Sequence, residues 1–124
     1  MEIRTVREQD RPVVIALWQA CELTRPWNDP DKDISRKLQV QPELFFVGEL
    51  DQRVMASAMA GYDGHRGSIY YLAVAPEYQG RGYGERMMQH VEDALTAIGC
   101  PKLNLAFRSS NARVFAFYQR LGYS

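Results

Sequence analysis

The run Gln79-Gly80-Arg81-Gly82-Tyr83-Gly84 lies between an apolar segment, Ile69-Tyr70-Tyr71-Leu72-Ala73-Val74, and an amphipathic segment that begins at Glu85. A strand that feeds a helix through alternating glycines builds an anion site. Main-chain N–H groups converge there, the helix N-terminus is electropositive, and glycine lets a ligand approach the backbone. Spacing narrows the anion. A mononucleotide P-loop needs Lys-Ser or Lys-Thr after its glycines, and Tyr83-Gly84-Glu85 stands in that place. A dinucleotide fingerprint needs Gly-x-Gly-x-x-Gly and an acidic residue on the next strand. This run reads Gly-x-Gly-x-Gly, and the next strand-like segment, 103–107, ends without a carboxylate.

A chain of 124 residues is read as one domain, 1–124, with a single core. Its 15 basic residues balance 15 acidic ones, so no global field argues for nucleic acid, and no basic run revives the idea. The two cysteines, Cys21 and Cys100, form neither a metal spacing nor a disulfide framework and read as reduced thiols. No metal is expected. No apolar stretch approaches the ~20 residues of a membrane span, and the amino end shows no leader pattern, so a cytoplasmic protein without membrane partners is expected.

Residues 3–7 alternate as a strand. Asp10 is placed to cap a helix whose buried stripe is Val13, Val14, Leu17 and Cys21, with Pro12 in its first turn. Residues 23–30 read as a loop. Asp31 or Asp33 then caps a short helix over 34–40, which Pro42 helps to stop. Residues 44–50 and 53–62 form a hairpin around Asp51-Gln52, and 63–67 turn into the strand before the glycine run. Met87, Met88, Val91, Leu95 and Ile98 mark a helix over 84–98, closed by Gly99 and Pro101. A strand over 103–107 and a helix capped by Asn111 follow. The order strand–helix–helix–three strands–helix–strand–helix is α/β in class, an α+β mixed sheet with one core.

Two motifs in this order resemble the GNAT superfamily of N-acetyltransferases. One is Gln-x-x-Gly-x-Gly after a strand. The other is Asn111-Ala112-Arg113-Val114-Phe115-Ala116-Phe117-Tyr118-Gln119-Arg120-Leu121-Gly122-Tyr123, similar to the family's Asn-x-x-Ala-x-x-x-Tyr-x-x-x-Gly-Phe signature with tyrosine as the last aromatic. Arg25-Pro26-Trp27-Asn28-Asp29-Pro30 and Gly61-Tyr62-Asp63-Gly64-His65-Arg66-Gly67 further resemble the YpeA-type bacterial subgroup. The resemblance implies a GNAT-like fold and acetyl-coenzyme A as co-substrate. By position, Leu72, Ala73 and Val74 would offer strand backbone to the pantetheine arm. Gln79, Gly80, Arg81, Gly82, Tyr83, Gly84 and Glu85 would form the pyrophosphate loop, and Asn111 would hydrogen-bond the pantetheine. Tyr118 would be the catalytic acid that protonates the departing thiolate. Trp27, Asn28 and Asp29 would lie beside the acceptor, a small-molecule amine or a protein amino group. Bland readings stand beside these: Leu72 and Val74 as core, Asn111 as a helix cap, Tyr118 as a core aromatic.

The chain departs from the family pattern in two ways. It stops at Ser124, where the family normally adds two strands. The segment 103–107 would then be an open sheet edge, and a homodimer is the simplest cover for it. Second, no base carries over, since Ala106 stands five residues before Asn111. His65, Asp63, Asp29 and Glu22 are weak candidates, and His90 reads as a surface residue. Strict alternation puts Tyr70 and Tyr71 on opposite faces, so at most one can line an acceptor site. Direct transfer of an acetyl group to a primary amine is the leading reading. A truncated acyl-CoA-binding protein without catalysis is the alternative.

Overall fold

A computed structural model of the chain describes residues 1–24 and 29–100 and the backbone of 103–105. Strand β1 (Glu2–Thr5) is followed by helices α1 (Arg11–Ala20) and α2 (Pro30–Gln39). Three strands come next, β2 (Phe45–Leu50), β3 (Arg53–Tyr62) and β4 (Gly67–Val74), then α3 (Tyr83–Ala97) and β5 (Leu103–Leu105). They form one five-stranded sheet in chain order β1-β2-β3-β4-β5. The first three pairings are antiparallel, and β4 pairs with β5 in parallel. The mixed α/β fold expected from the sequence is therefore present. The end of the expected strand 103–107 and the Asn111 helix lie outside the described residues.

Helices cover both faces of the sheet. On one face Met87, Met88, Val91 and Leu95 of α3 pack on Phe46, Ala56, Ala58, Ala60, Ile69 and Leu72. The small alanines of β3 let the helix sit close to the sheet. On the other face Val14, Leu17 and Trp18 of α1 and Ile34 of α2 pack on Phe45, Val47, Met59 and Ala73. β3 is thus covered on both sides, and Met55 through Ala60 are all buried.

The helix starts differ from expectation in two places. Asp10 precedes α1 but its side chain caps nothing there. Its carboxylate accepts the Arg7 N–H at 2.7 Å and both terminal nitrogens of Arg4 at 2.8 and 3.0 Å. A guanidinium fork is the stronger partner for a buried carboxylate, so it wins over the helix amides. Helix α2 is capped by Asp29, whose Oδ1 accepts the Lys32 N–H at 3.2 Å, rather than by Asp31 or Asp33. Pro30 at the first helical position fixes that start. Arg11 then ties α1 to α2, donating to the Asp31 carbonyl at 2.8 Å and the Ser35 hydroxyl at 2.9 Å. No helix of the described residues is long and apolar enough to cross a membrane.

Candidate active site

The glycine loop adopts the backbone that its composition demands. Gly80 and Gly82 have φ of +81° and +85°, a region that L side chains rarely occupy. Gly82 is the N-cap of α3 and brings no side-chain acceptor. The helical ladder begins with the Arg86 N–H on the Gly82 carbonyl at 3.2 Å. The N–H groups of Tyr83, Gly84 and Glu85 precede it and point out of the helix start, where they suit an anion. Among the described residues, a Cβ at Gly80 or Gly82 would meet nothing within 4 Å beyond its own chain neighbours, so the cradle stands open on that side. Loop side chains brace it from outside. Gln79 Nε2 donates to the Val74 carbonyl at 2.9 Å, and the Arg81 guanidinium sits 5.6 Å from the Tyr78 ring centroid. Gln79 therefore works here as a latch between loop and strand.

Strand β4 carries a bulge. Ser57 pairs with Ala73 and Met59 with Tyr70, so two residues on β3 span three on β4. The extra position is absorbed at Tyr71, a non-glycine residue at φ +54°. The consequence corrects the sequence expectation: Tyr70 and Tyr71 do not face opposite sides but both line one pocket with Met59. Leu72 then returns to the α3 face and Ala73 to the α1 face. Beyond the bulge the Ala75 N–H donates to Met55 across β3 at 2.8 Å. By the two-residue strand period, Leu72 and Val74 turn their amides to the opposite edge. There β5 pairs only with Gly67, Ser68 and Ile69 among the described residues. The Val74 carbonyl on that edge is taken by Gln79 and by Cys21 Sγ at 3.2 Å. Leu72 keeps its main-chain groups toward an edge with no strand beside it among the described residues.

A buried relay holds the bulge. Trp18 Nε1 donates to Ser57 Oγ at 2.9 Å, and Ser57 Oγ donates to the Tyr71 carbonyl at 2.8 Å. The Trp18 indole stacks on the Tyr71 ring, with centroids 3.8 Å apart and planes inclined by 11°. At the far end of that ring the Tyr71 hydroxyl donates to Asp33 Oδ2 at 2.6 Å. Trp18 and Ser57 are wholly buried.

The pocket beside the bulge has a volume of about 390 Å³. One wall is the α2 face of Asp33, Arg36, Lys37 and Val40, at helical offsets of three, four and seven, and the other is Met59 with the two tyrosines. Asp33 also accepts from Arg36 Nη2. Burial pushes the Lys37 ammonium below the ordinary lysine range, partly opposed by the charge of Glu43. The sequence reading missed Trp18, Ser57, Asp33, Arg36 and Lys37. The signal that could have found the α2 wall is the spacing of Asp33, Arg36 and Lys37 on one helix face.

Of the other expected residues, Asp29 is the α2 cap, while Trp27, Asn28, Asn111 and Tyr118 lie outside the described residues. Asp63 shapes its turn: its carboxylate accepts the Arg66 and His65 N–H groups at 2.7 and 2.8 Å, which hold it below the usual carboxylate range. His65 is exposed in that turn. His90 is not a plain surface residue: it is half-buried and meets Phe46 edge-on at 4.6 Å.

Comparison with known proteins agrees with the fold. The sequence pattern of the Acetyltransferase (GNAT) family matches residues 13–123. An acetyltransferase of Yersinia pestis (strain Pestoides F) is 50% identical over 123 residues, 99% of this chain and 87% of that protein. Among solved structures, Ard1 from Thermoplasma volcanium superposes with a TM-score of 0.85 at 21% identity, covering 98% of this chain and 80% of that one. N-acetylglutamate synthase from Neisseria gonorrhoeae, complexed with coenzyme A and N-acetyl-glutamate, gives 0.72 at 26% identity, covering 96% of this chain and 27% of that one.

Proposed function

The chain belongs to the GNAT family of acetyltransferases and is an N-acetyltransferase, and from that premise we propose that it moves an acetyl group directly from acetyl-coenzyme A to a primary amine. The observation that carries the cofactor is the glycine cradle at the start of α3, one loop away from a β4 edge that has no partner beyond Ile69 among the described residues. The pyrophosphate would take the N–H groups of Tyr83, Gly84 and Glu85, and the pantetheine arm would lie along Leu72, Ala73 and Val74. Coenzyme A bound to the gonococcal synthase supports this reading.

Acetyl-coenzyme A supplies an acyl group activated as a thioester. In the transfer a bond forms between the amine nitrogen and the acyl carbon, and the carbon–sulfur bond breaks. The amine gives up one proton and the thiolate gains one. An edge-facing Leu72 N–H, fixed by the bulge, is suited to the oxyanion of the tetrahedral intermediate. Tyr118 is assigned the proton for the thiolate. Asn111 is assigned to the pantetheine, and Trp27, Asn28 and Asp29 to the acceptor side.

Calorimetry with coenzyme A tests the cradle. Among the described residues nothing beyond its chain neighbours lies within 4 Å of a Cβ at Gly82, so a side chain there would collide with a bound phosphate first. Gly82→Ala adds backbone strain of about 1–2 kcal/mol at this φ, and Gly82→Val adds bulk. Both should melt cooperatively, with coenzyme A affinity reduced tenfold or more in Gly82→Val. A folded Gly82→Val with wild-type affinity refutes the site.

A further inference from the structure

We propose that the pocket between α2 and the β4 bulge binds the acceptor, and that this acceptor is a small molecule bearing a carboxylate near its amine, an amino acid or a close derivative. The inference rests on the acetyl-transfer reading above and deepens it.

Position is the first argument. Tyr71 belongs both to the pocket wall and to the bulge, and the next residue, Leu72, turns its amide to the strand edge opposite β3, where no strand lies beside it among the described residues. An amine held against Tyr71 from the α2 side is one residue away from the point where the acyl carbon would sit. The glycine cradle lies at the start of the helix on the other face of the sheet, so donor and acceptor would approach β4 from different sides.

Charge is the second. The pocket holds one carboxylate, Asp33, and two cations, Arg36 and Lys37. Asp33 is already engaged, one oxygen with the Tyr71 hydroxyl and the other with Arg36. The Lys37 ammonium makes no hydrogen bond or ion pair among the described residues, and Glu43 attracts it only from beyond contact. The ammonium rests over Gly61, 3.7 Å from where a Cβ would stand. A half-buried cation without a contacting partner is less well solvated than a surface one, and an anionic ligand group offsets that loss. The surplus charge of the pocket is thus positive, at the end away from Tyr71.

Size and wall chemistry set the rest. About 390 Å³ falls at the small-molecule end of ligand pockets. Met59, Val40 and the Tyr70 ring offer an apolar wall between the cationic end and the bulge. The arrangement fits an amino acid: carboxylate at Lys37 and Arg36, the neighbouring amine toward Tyr71, and an apolar side chain along Met59 and Tyr70.

The test is an acceptor panel with acetyl-coenzyme A, reading thiol release and product mass. It contains the free amino acids, each beside its C-terminal amide and its decarboxylated amine, and a set of short peptides. At least one free acid should be acetylated with kcat/KM about tenfold or more above its amide and amine, the scale of one hydrogen bond to a charged group. Lys37→Met should erase that preference, mainly through KM, while coenzyme A affinity stays at the wild-type value. Should Lys37→Met fail to fold, the acid-to-amide ratio of the wild type reads the same charge. Amides used as well as acids, a preference that survives in folded Lys37→Met, or peptides acetylated while every free amino acid is refused would each overturn the proposal. Coenzyme A binding with no acceptor turned over overturns the pocket assignment and leaves the cofactor site standing. Failure to bind coenzyme A removes the acetyl-transfer reading, and the inference falls with it.

Discussion

Replacing Ser57 with alanine removes one oxygen from the centre of the sheet, and its cost follows from the relay that oxygen completes. Ser57 Oγ accepts the Trp18 indole N–H and donates to the Tyr71 carbonyl. Both residues that bracket it in sequence, Ala56 and Ala58, are fully buried, so water cannot step in at little cost. A buried indole N–H left without an acceptor costs about 1–3 kcal/mol, and the lost bond at Tyr71 adds about 1 kcal/mol. The side chain shrinks by a single oxygen, so the cavity contribution is minor. The sum is about 2–4 kcal/mol, a large part of the 5–15 kcal/mol typical of a domain but short of unfolding it.

Urea denaturation at neutral pH measures this directly. Ser57→Ala should lower the midpoint with an unchanged slope. Trp18→Phe in the same background separates the two ends of the relay. Once the indole N–H is gone, the alanine change should cost less, a coupling of about 0.5–3 kcal/mol in the double-mutant cycle. Coenzyme A affinity should fall as well, because Tyr71 at φ +54° loses a brace. A loss below about 0.5 kcal/mol, the scale of an indifferent surface change, or strict additivity with Trp18→Phe would refute the reasoning.

Two further outcomes follow. If Tyr118 protonates the thiolate, Tyr118→Phe should keep coenzyme A affinity and lower kcat by roughly 10²–10⁴-fold, and a variant as active as wild type sinks the assignment. Asp10 is held below the usual carboxylate range, first by its hydrogen bonds to Arg4 and then by the Arg7 amide. Its depressed native pKa adds stability that is present above the unfolded value of about 3.9 and is lost as pH falls through the native value. Acid titration of the urea midpoint should therefore show a steeper decline below about pH 4 in wild type than in Asp10→Asn; equal slopes would exclude Asp10 as a source of acid sensitivity.

Where periodicity alone decides, the sequence was readable. The stripe of Met87, Met88, Val91 and Leu95 gives α3 to within a residue at each end, and Gly99 ends it at φ +88°. The long strand over 53–62 is bounded by turn residues and appears with those limits. Helix caps were harder. Asp29, Asp31 and Asp33 all stand near the start of α2, and the decision falls to Pro30, which prefers the first helical position and so makes the residue before it the cap. Asp10 fails as a cap because the Arg4 guanidinium, six residues before it, takes both of its carboxylate oxygens. His90 gains its aromatic contact from Phe46, a neighbour that only tertiary packing supplies. The glycine loop was legible because glycine spacing is a local property. The pocket beside the bulge was not, since it needs α2 laid across two strands.

The bulge is the least legible feature and the one on which the site turns. A strand of Ile69-Tyr70-Tyr71-Leu72-Ala73 reads as strict alternation, and nothing in its residue types announces a left-handed backbone. Followed literally, alternation would send Tyr71 into the α3 core and Leu72 toward α1. The observed chain spends a strained φ at Tyr71, of order 1–3 kcal/mol, to keep two aromatic rings on one face and restore Leu72 to the other. Such strain persists only where the surroundings over-determine it. Tyr71 meets that condition at three points: its carbonyl on Ser57, its ring on Trp18 and its hydroxyl on Asp33. Each brace comes from a different element: β3, α1 and α2. Helices α1 and α2 thereby act on the geometry of a strand edge they do not form, and a change in α2 that shifts Asp33 should reach Leu72 through one side chain. Acceptor recognition on the α2 face and oxyanion stabilisation at the strand edge are, on this account, coupled through the Tyr71 ring.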